Sequence, residues 1–493
     1  MNNYYDITRN IAELIEYAAS LLRLKESDKA YFANKLYHRL GIMSPKTQDL
    51  NVNEIIAKVK GLEAPDTLIK PIVEYAVENG IVGAAEAANF GDEVMGLLMP
   101  NQSGVELMFD YYEEEYGIEK ACLFLHDLGI KSDYIKKSAI DKNIVWDAAF
   151  GDGKKLTVTI NLTKPEKDNA EIARLAKLPS ADYPKCVLCF ENIGWWGSEK
   201  LPARQNLRVV PVRLEGEEWF MQYSPYAYYR EHVIVINKKH VPMIVEPRTL
   251  KILAAYVDRF PHYFIGSNAS LPIIGGSLLS HEHFQGGAGP MPLHTAGVRE
   301  KWIDKSCPAA AVGIADWYNS VVRIESRDKE TLTTCGARVL ETWKGYSDES
   351  VGIIAETDRP HNSAAPIMRK ENGVFILDMI LRNNRVSAEF PDGIFHAHPE
   401  YHHIKKEGIG LIEAMGLFIL PPRVLKEIER LKAEGRTEAQ AREYINGVCK
   451  NILINTAVFK PDAKGNAAFA RFMRAAGFTT LQTQEGGEVV LND

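Results

Sequence analysis

The sequence predicts a mixed α+β protein that begins with a mainly helical region, and two patterns along the chain indicate this class. In the first 150 residues, apolar positions such as Ile11, Leu14, Ile15 and Ala18 follow the three-and-four spacing of a helix with one buried face. Further along, "KLTVTINLTK" alternates as a strand does, and "EHVIVINKKH" and "GVFILDMIL" are compact β-rich runs. Helical patterns return near the carboxyl end, in "RVLKEIERLKAEGRTEAQAREYINGVCKNIL".

A weak internal repeat predicts how these elements are organised into regions. Twice in the chain, a histidine that follows an apolar strand precedes a His-x-His pair. The pattern occurs first as His240 with His281 and His283, and then as His361 with His396 and His398. We therefore expect a helical region over residues 1–150, followed by two related halves over residues 151–325 and 326–493.

Charge and hydropathy exclude several classes of partner and location. The 493 residues include 58 basic and 65 acidic side chains, with no basic block of the kind that follows a nucleic-acid backbone. No apolar run approaches the roughly 18 residues of a membrane span, and the first residues lack the features of a secretory signal. Six cysteines are too sparse for a disulfide framework. We expect a cytoplasmic protein without nucleic-acid or membrane partners.

The stretch "SLLSHEHFQGG" carries the most informative polar residues. Side chains alternate between the two faces of a strand, so extended "HEHFQ" presents His281, His283 and Gln285 to one face and Glu282 and Phe284 to the other. The glycines around this stretch allow a backbone or a phosphate to approach closely. A metal-binding or merely polar strand end is the alternative, but three polar groups that converge beside several glycines favour an active site.

A histidine in this position is suited to attack phosphorus. A neutral imidazole is nucleophilic near pH 7, whereas a carboxylate is weaker and a lysine is mostly protonated. The inner residue, His283, is the expected nucleophile, with a backbone carbonyl near His281 holding its other nitrogen. Gln285 would supply a hydrogen-bond donor to phosphate oxygens without changing the local charge.

Several long stretches, in order, resemble one family. "SNASLPIIGGSLLSHEHFQGG", "YPKCVLCFENIG", "QYSPYAYYREHVIVI" and "FHAHPEYHHIKKEGIGLIEAMGLFILPPR" are similar to galactose-1-phosphate uridylyltransferases of the Firmicutes type, in the histidine-triad superfamily. The resemblance runs from "MPNQSGVELMFDYYEEEYG" through "FILPPR". It implies a fold of tandem histidine-triad-like halves with antiparallel sheets and flanking helices, and a homodimer.

The resemblance also implies a ping-pong transfer of UMP from UDP-glucose to galactose 1-phosphate through His283. In that case the substrates and products are UDP-glucose, UDP-galactose and the hexose 1-phosphates, and Gln285 contacts phosphate. The residues that fall where the family binds nucleotide and phosphate are Asn268, Gly275, Gly276 and Ser277. A related nucleotidyltransferase or a dinucleoside polyphosphate phosphorylase would use the same histidine with a different acceptor, and a non-catalytic nucleotide-binding protein of the same fold is a further alternative.

The pair Cys186 and Cys189 forms a CxxC motif, which by itself fits a zinc knuckle, a redox pair or chance. Its surroundings lack the strand-to-helix context of a thioredoxin-type redox motif. The resemblance implies a structural zinc ion held by Cys186, Cys189, His240 and His281. It also places His361, His396 and His398 where some members hold a second ion, although a solvated histidine-rich strand end explains these residues equally well.

Overall fold

A computed structural model describes residues 4–22, 24–163, 183–276, 278–483 and 489–491. The helices, numbered in chain order, are α1 Tyr4–Leu21, α2 Lys29–Arg39, α3 Val52–Val59, α4 Asp66–Glu78, α5 Ala87–Leu98, α6 Gln102–Tyr116, α7 Ile118–Lys131, α8 Lys137–Ile140, α9 Pro247–Arg259, α10 Lys329–Gly345, α11 Leu411–Ala414, α12 Val424–Ala433, α13 Glu438–Thr456 and α14 Ala463–Ala475. The strands are β1 Ile144–Ala149, β2 Lys155–Ile160, β3 Val210–Leu214, β4 Glu217–Tyr223, β5 Val233–Asn237, β6 Tyr263–Gly266, β7 His283–Ala288, β8 Val298–Ile303, β9 Ala311–Ala315, β10 Val321–Ser326, β11 Asn362–Glu371, β12 Val374–Asn383, β13 Leu417–Leu420, β14 Thr479–Thr483 and β15 Val489–Leu491. The mixture of helices with mainly antiparallel strands confirms the predicted α+β class.

The chain divides into two compact units. The first comprises Met1–Lys142, Lys167–Val212 and Glu218–Ala227, and the second comprises Asn143–Glu166, Arg213–Glu217 and Tyr228–Asp493. Within the described ranges, no helix combines the length and the apolar character that a membrane-spanning helix requires.

The first unit contains α1 to α8, which confirms the helical amino-terminal region. The positions whose spacing predicts a buried helix face, including Ile11, Leu14 and Ala18, are completely buried. α1 packs with this face against α2, α3 and α4. Asn101 caps α6 by accepting a hydrogen bond from the amide of Gly104, and Gly117, at φ 86°, adopts the positive φ that the connection between α6 and α7 needs.

The second unit is built on a sheet with the strand order β15-β14-β8-β9-β10-β12-β11-β6-β7-β5. β7 carries "HFQGGA" and pairs antiparallel with β5 on one side and with β6 on the other. In this register His283 lies opposite Ile236, and Gln285 lies between Ile234 and Gly266. The sheet thus places the predicted catalytic residues on a central strand that both neighbours hold in position. A smaller sheet, β1-β2-β13, completes this unit.

A buried ion triad links β10, β11 and β12 of the larger sheet. Asp378 is fully buried, and its carboxylate accepts hydrogen bonds from Arg323 Nε at 2.5 Å and from Arg369 Nη1 at 2.6 Å. Burial by itself would raise the pKa of Asp378, but the charges of the two arginines outweigh it and hold that pKa below its usual value. Arg323 also donates to the carbonyls of Leu293 and Ala296, so the triad fixes the segment that follows β7.

Candidate active site

The nucleophile predicted from sequence, His283, begins β7 and is 6% exposed. Its Nδ1 lies 2.8 Å from the backbone carbonyl oxygen of His281. Because a carbonyl only accepts, Nδ1 carries the ring proton of the neutral imidazole, and Nε2 carries the lone pair. Burial lowers the pKa of His283 and outweighs the contact with the His281 carbonyl, which raises it. The structure therefore presents a neutral imidazole whose tautomer matches the one expected from the sequence.

Glu282, between the two histidines, is held by two partners that no sequence motif indicates. Asn237 Nδ2 donates to its carboxylate at 2.8 Å, and Arg248 Nη1 donates to it at 2.8 Å. Arg248 also binds Glu217 through Nε at 2.6 Å. Each contact joins residues more than 30 positions apart, so the tertiary fold brings Asn237 at the end of β5 and Arg248 in α9 to their partners. The Glu282 carboxylate is thus bound by Asn237 and Arg248, and the positive charge of Arg248 balances its negative charge.

Gln285, the predicted phosphate-contacting residue, is half-buried on β7. It lies on the same face of the strand as His283, because the two residues are separated by one position. Its Oε1 is 3.1 Å from Nε2 of His232, which directly precedes β5. The residue opposite on β6 is Gly266, which has no side chain to cover the amide.

The predicted nucleotide-binding loop follows β6. Asn268 is 4% exposed, and its Oδ1 accepts a hydrogen bond from the amide of Leu411 at 2.9 Å. A Cβ at Gly276 would come within 2.7 Å of Asn268 Nδ2, and one at Gly275 would come within 2.4 Å of the carbonyl oxygen of Ala269. The backbone therefore requires glycine at position 275, and a side chain at position 276 would displace the Asn268 side chain that packs there. Ser277 lies outside the described residues.

The four predicted metal ligands belong to two close pairs. In the first unit, the sulfurs of Cys186 and Cys189 are 3.6 Å apart, and the hydrogen bond from Cys189 lowers the pKa of Cys186 to about 7. In the second unit, the rings of His240 and His281 have centroids 4.6 Å apart. Each pair offers two side-chain donor atoms of a kind that binds metal ions.

Hydrogen bonds fix the protonation and the orientation of two of these side chains, Cys186 and His281. The amide of Leu188 points at the sulfur of Cys186 at 3.4 Å, a contact that favours a thiolate. Nε2 of His281 lies 2.8 Å from the carbonyl oxygen of Asn237, so Nε2 carries the proton and Nδ1 carries the lone pair. An outer hydrogen bond of this kind orients a ligating histidine. Two thiols and two imidazoles are a donor set that suits zinc.

The second set of histidines is held by other partners. Nδ1 of His361 contacts Asn384 at 2.9 Å, and His398 stacks on Phe390 with ring centroids 4.2 Å apart. His396 accepts a hydrogen bond from the amide of Ile409. In the part of the chain that the structure describes, these three histidines form no group of converging metal ligands.

His396 is expected to make stability fall at mildly acidic pH. It is 3% exposed, and burial lowers its pKa to about 4, assisted by the charge of Arg382. Since an unfolded histidine titrates near 6.5, protons bind the unfolded chain preferentially as pH falls below that value. Lowering the pH from 7.5 to 5.5 should therefore reduce the free energy of unfolding by about 1.4 kcal/mol through His396.

The measurement is urea unfolding at the two pH values. His396→Gln keeps an acceptor for the amide of Ile409 and should reduce the loss of unfolding free energy between the two pH values by about 1.4 kcal/mol. The control variant His403→Gln, at an exposed site, should lose as much stability between these pH values as wild type. An equal pH dependence in wild type and His396→Gln would contradict the assignment.

The sheet and the site define an α+β protein with a buried, neutral histidine at the start of a central strand and a loop that carries two glycines after the neighbouring strand. Two family models match the chain, the galactose-1-phosphate uridyl transferase N-terminal domain over residues 42–242 and the C-terminal domain over residues 256–443. A galactose-1-phosphate uridylyltransferase of Caldanaerobacter subterraneus is 38% identical over 97% of this chain and 99% of its own. One from Halalkalibacterium halodurans is 41% identical over 83% and 88% of the two chains.

These matches cover most of both chains and show that this chain belongs to the galactose-1-phosphate uridylyltransferase family. It is accordingly a nucleotidyltransferase of galactose metabolism, with the activity of a UDP-glucose–hexose-1-phosphate uridylyltransferase. Among solved structures, a yeast Ap4A phosphorylase aligns over 66% of this chain and 91% of its own, with 11% identity and a TM-score of 0.33.

Proposed function

We propose that the chain transfers UMP from UDP-glucose to galactose 1-phosphate in two half-reactions through a covalent adduct on His283. The Nε2 lone pair attacks the α-phosphorus, and the N–P bond forms as the P–O bond to glucose 1-phosphate breaks. A phosphate oxygen of galactose 1-phosphate then attacks the same phosphorus. The N–P bond breaks, its electron pair returns to Nε2, and UDP-galactose leaves a neutral imidazole behind.

One observation carries the proposal, the 2.8 Å contact between His283 Nδ1 and the carbonyl oxygen of His281. It orients a neutral ring with Nε2 as the nucleophilic atom, so no base is needed to activate it. Burial of the ring limits the access of water to the adduct. In this proposal Gln285 donates to the non-bridging phosphate oxygens, and Asn268 with Gly275, Gly276 and Ser277 receives the nucleotide and its phosphates.

The experiment that tests this function separates the acceptors. Enzyme is incubated with UDP-glucose labelled in the uridine and freed of small molecules, and it then receives either galactose 1-phosphate or inorganic phosphate. Galactose 1-phosphate should release the label as UDP-galactose, and phosphate should not release it. Release by phosphate alone would instead assign a phosphorylase-type reaction and would contradict the proposed acceptor.

We also propose that Cys186, Cys189, His240 and His281 hold one zinc ion in a structural role. The donor set, the lowered pKa of Cys186 and the oriented ring of His281 support this assignment. When bound, the ion would tie the CxxC segment to the residue whose carbonyl holds His283. The ion takes no part in the steps proposed for transfer.

Metal analysis should find about one zinc per chain, the number that a single four-ligand site holds. Cys186→Ser combined with Cys189→Ser should lose the metal and lower the thermal midpoint, because a structural zinc contributes directly to folding free energy. Cys307→Ser, which changes a cysteine outside the four proposed ligands, is the matched control and should keep both the zinc and the thermal midpoint of wild type. A metal-free preparation with unchanged midpoint and activity would remove this site.

Four further expectations from the sequence stay proposals. The chain is proposed to act as a cytoplasmic homodimer, without nucleic-acid partners. Residues 151–325 and 326–493 are proposed to be related halves of histidine-triad type. Sedimentation of the purified protein at several concentrations tests the dimer, and a mass of one chain throughout would contradict it.

A further inference from the structure

We propose that His232 is a positioning residue that fixes the amide of Gln285 with its NH2 group turned toward the substrate phosphate. The inference rests on the phosphate contact of Gln285 in the proposed function. No motif marks His232, which stands alone before the apolar run "VIVIN". Its role follows from three features of the structure: one hydrogen bond, one tautomer and one space left by a glycine.

The hydrogen bond joins Nε2 of His232 to Oε1 of Gln285 at 3.1 Å. The two side chains are diagonal neighbours on one sheet face, because Gln285 pairs with Ile234, two positions beyond His232. His232 is 3% exposed, so water does not compete freely for this contact. Among the described residues, this contact with His232 decides which end of the Gln285 amide faces outward.

The tautomer of His232 decides which end this is. Its Nδ1 is buried without a hydrogen-bond partner among the described residues. If Nδ1 carried the proton, a buried N–H would be unsatisfied, which is rarer and costlier than an unsatisfied acceptor. The proton therefore belongs on Nε2, which donates to Oε1 of Gln285. The NH2 group of the amide then points away from His232 and can donate to a phosphate oxygen.

Burial keeps this arrangement in place at working pH. It lowers the pKa of His232 to about 4, although the hydrogen bond with Gln285 opposes the shift. The ring is consequently neutral near pH 7 and adds no charge beside the phosphate. This state gives His232 one donor and one acceptor nitrogen, as the tautomer argument requires.

The ring is held in its plane by aromatic neighbours. Tyr229 stacks on His232 with ring centroids 4.4 Å apart, and Tyr228 lies at 5.7 Å on a tilt. Tyr229 has room because residue 287 is glycine, where a Cβ would come within 2.7 Å of the tyrosine Cε2. Gly287 in "HFQGG" thus leaves space for the Tyr229 ring, which stacks on His232 and fixes its orientation. His232 in turn fixes the orientation of the Gln285 amide through their hydrogen bond.

The alternative orientation would turn Oε1 of Gln285 toward the phosphate, where two acceptors repel each other. Fixing the amide in advance removes this non-productive state and the cost of turning the group during reaction. Removing His232 should therefore lower kcat in both half-reactions by roughly 10- to 100-fold, while KM for UDP-glucose changes little.

The test is a double-mutant cycle read in single-turnover kinetics. His232→Met removes the donor, Gln285→Ala removes the amide, and the double variant removes both. If His232 acts through Gln285, the double variant should be no slower than Gln285→Ala alone. Multiplied losses in the double variant would show that His232 acts independently and would overturn the inference. An unimpaired Gln285→Ala would instead contradict the proposed phosphate contact itself.

A second pair of variants guards against a loss of folding. His232→Gln places an amide N–H near the position of the imidazole Nε2, whereas His232→Asn is too short and reaches only the position of Nδ1. His232→Gln should keep kcat within about threefold of wild type, and His232→Asn should be as slow as His232→Met. Equal rates in the glutamine and asparagine variants, with equal thermal midpoints, would contradict a positioning role.

Discussion

Replacing His283 with glycine is expected to abolish uridylyl transfer while the protein keeps its fold. The substitution removes the only group proposed to form a covalent bond with phosphorus, so kcat should fall on the order of 10⁴-fold or more. Glycine in a strand costs about 1 kcal/mol, and deletion of the buried ring adds a cavity. The neighbouring strands β5 and β6 still pair with β7 through its backbone.

Steady-state transfer from UDP-glucose to galactose 1-phosphate measures this effect, with circular dichroism and the thermal midpoint as folding controls. The matched control is His403→Gly, because that histidine is exposed and contacts Tyr444 on the protein surface rather than the site. Transfer in His283→Gly within tenfold of wild type would contradict the assigned nucleophile.

Removing the charge at Asp378 should cause the largest loss of stability of any single substitution considered. Asp378→Asn leaves Arg323 and Arg369 buried with their positive charges uncompensated, and breaking a buried ion pair by removing one partner costs about 3–5 kcal/mol. The effect should appear in the second unit, because all three residues lie on neighbouring strands there.

Urea unfolding measures this change, and Glu371→Gln provides a matched control. Glu371 also pairs with Arg369, at 2.6 Å, but it is 55% exposed, so its loss should cost less than about 1 kcal/mol. Similar losses in the two variants would show that burial does not determine the strength of the triad at Asp378.

The sequence predicted the residues of the motif better than it predicted the distant residues that contact them. "HEHFQGG" contains the proposed nucleophile, the carbonyl that holds it and the amide beside it within five positions, so their closeness follows from the sequence itself: His281 lies just before β7, and His283 and Gln285 lie on one face of that strand. The helical spacing of residues 11–18 similarly predicted the buried face of α1. In both cases the residues concerned are close together in the sequence, so their relation can be read from it.

The residues that hold Glu282 and Gln285 in place depend on strand pairing and on helix packing, which one sequence does not reveal. Asn237 and Arg248 reach Glu282, and His232 reaches Gln285, over 34 to 53 positions. A register shifted by one residue would turn the side chains of Asn237 and His232 to the other face, whereas the contact of Arg248 depends on the placement of helix α9. The buried charges left a readable signal, since Arg323 in "VVRIES" and Asp378 in "FILDMIL" interrupt apolar strands and so require partners.

The central claim is that UMP passes through His283, and the most direct measurement is a rapid-quench reaction with UDP-glucose alone. Intact mass and peptide mapping should show one uridylyl group per chain, acid-labile and attached to His283, forming at least as fast as the enzyme turns over. Galactose 1-phosphate should then discharge it at the same rate. Turnover without any such adduct, or an adduct on another residue, would contradict the account.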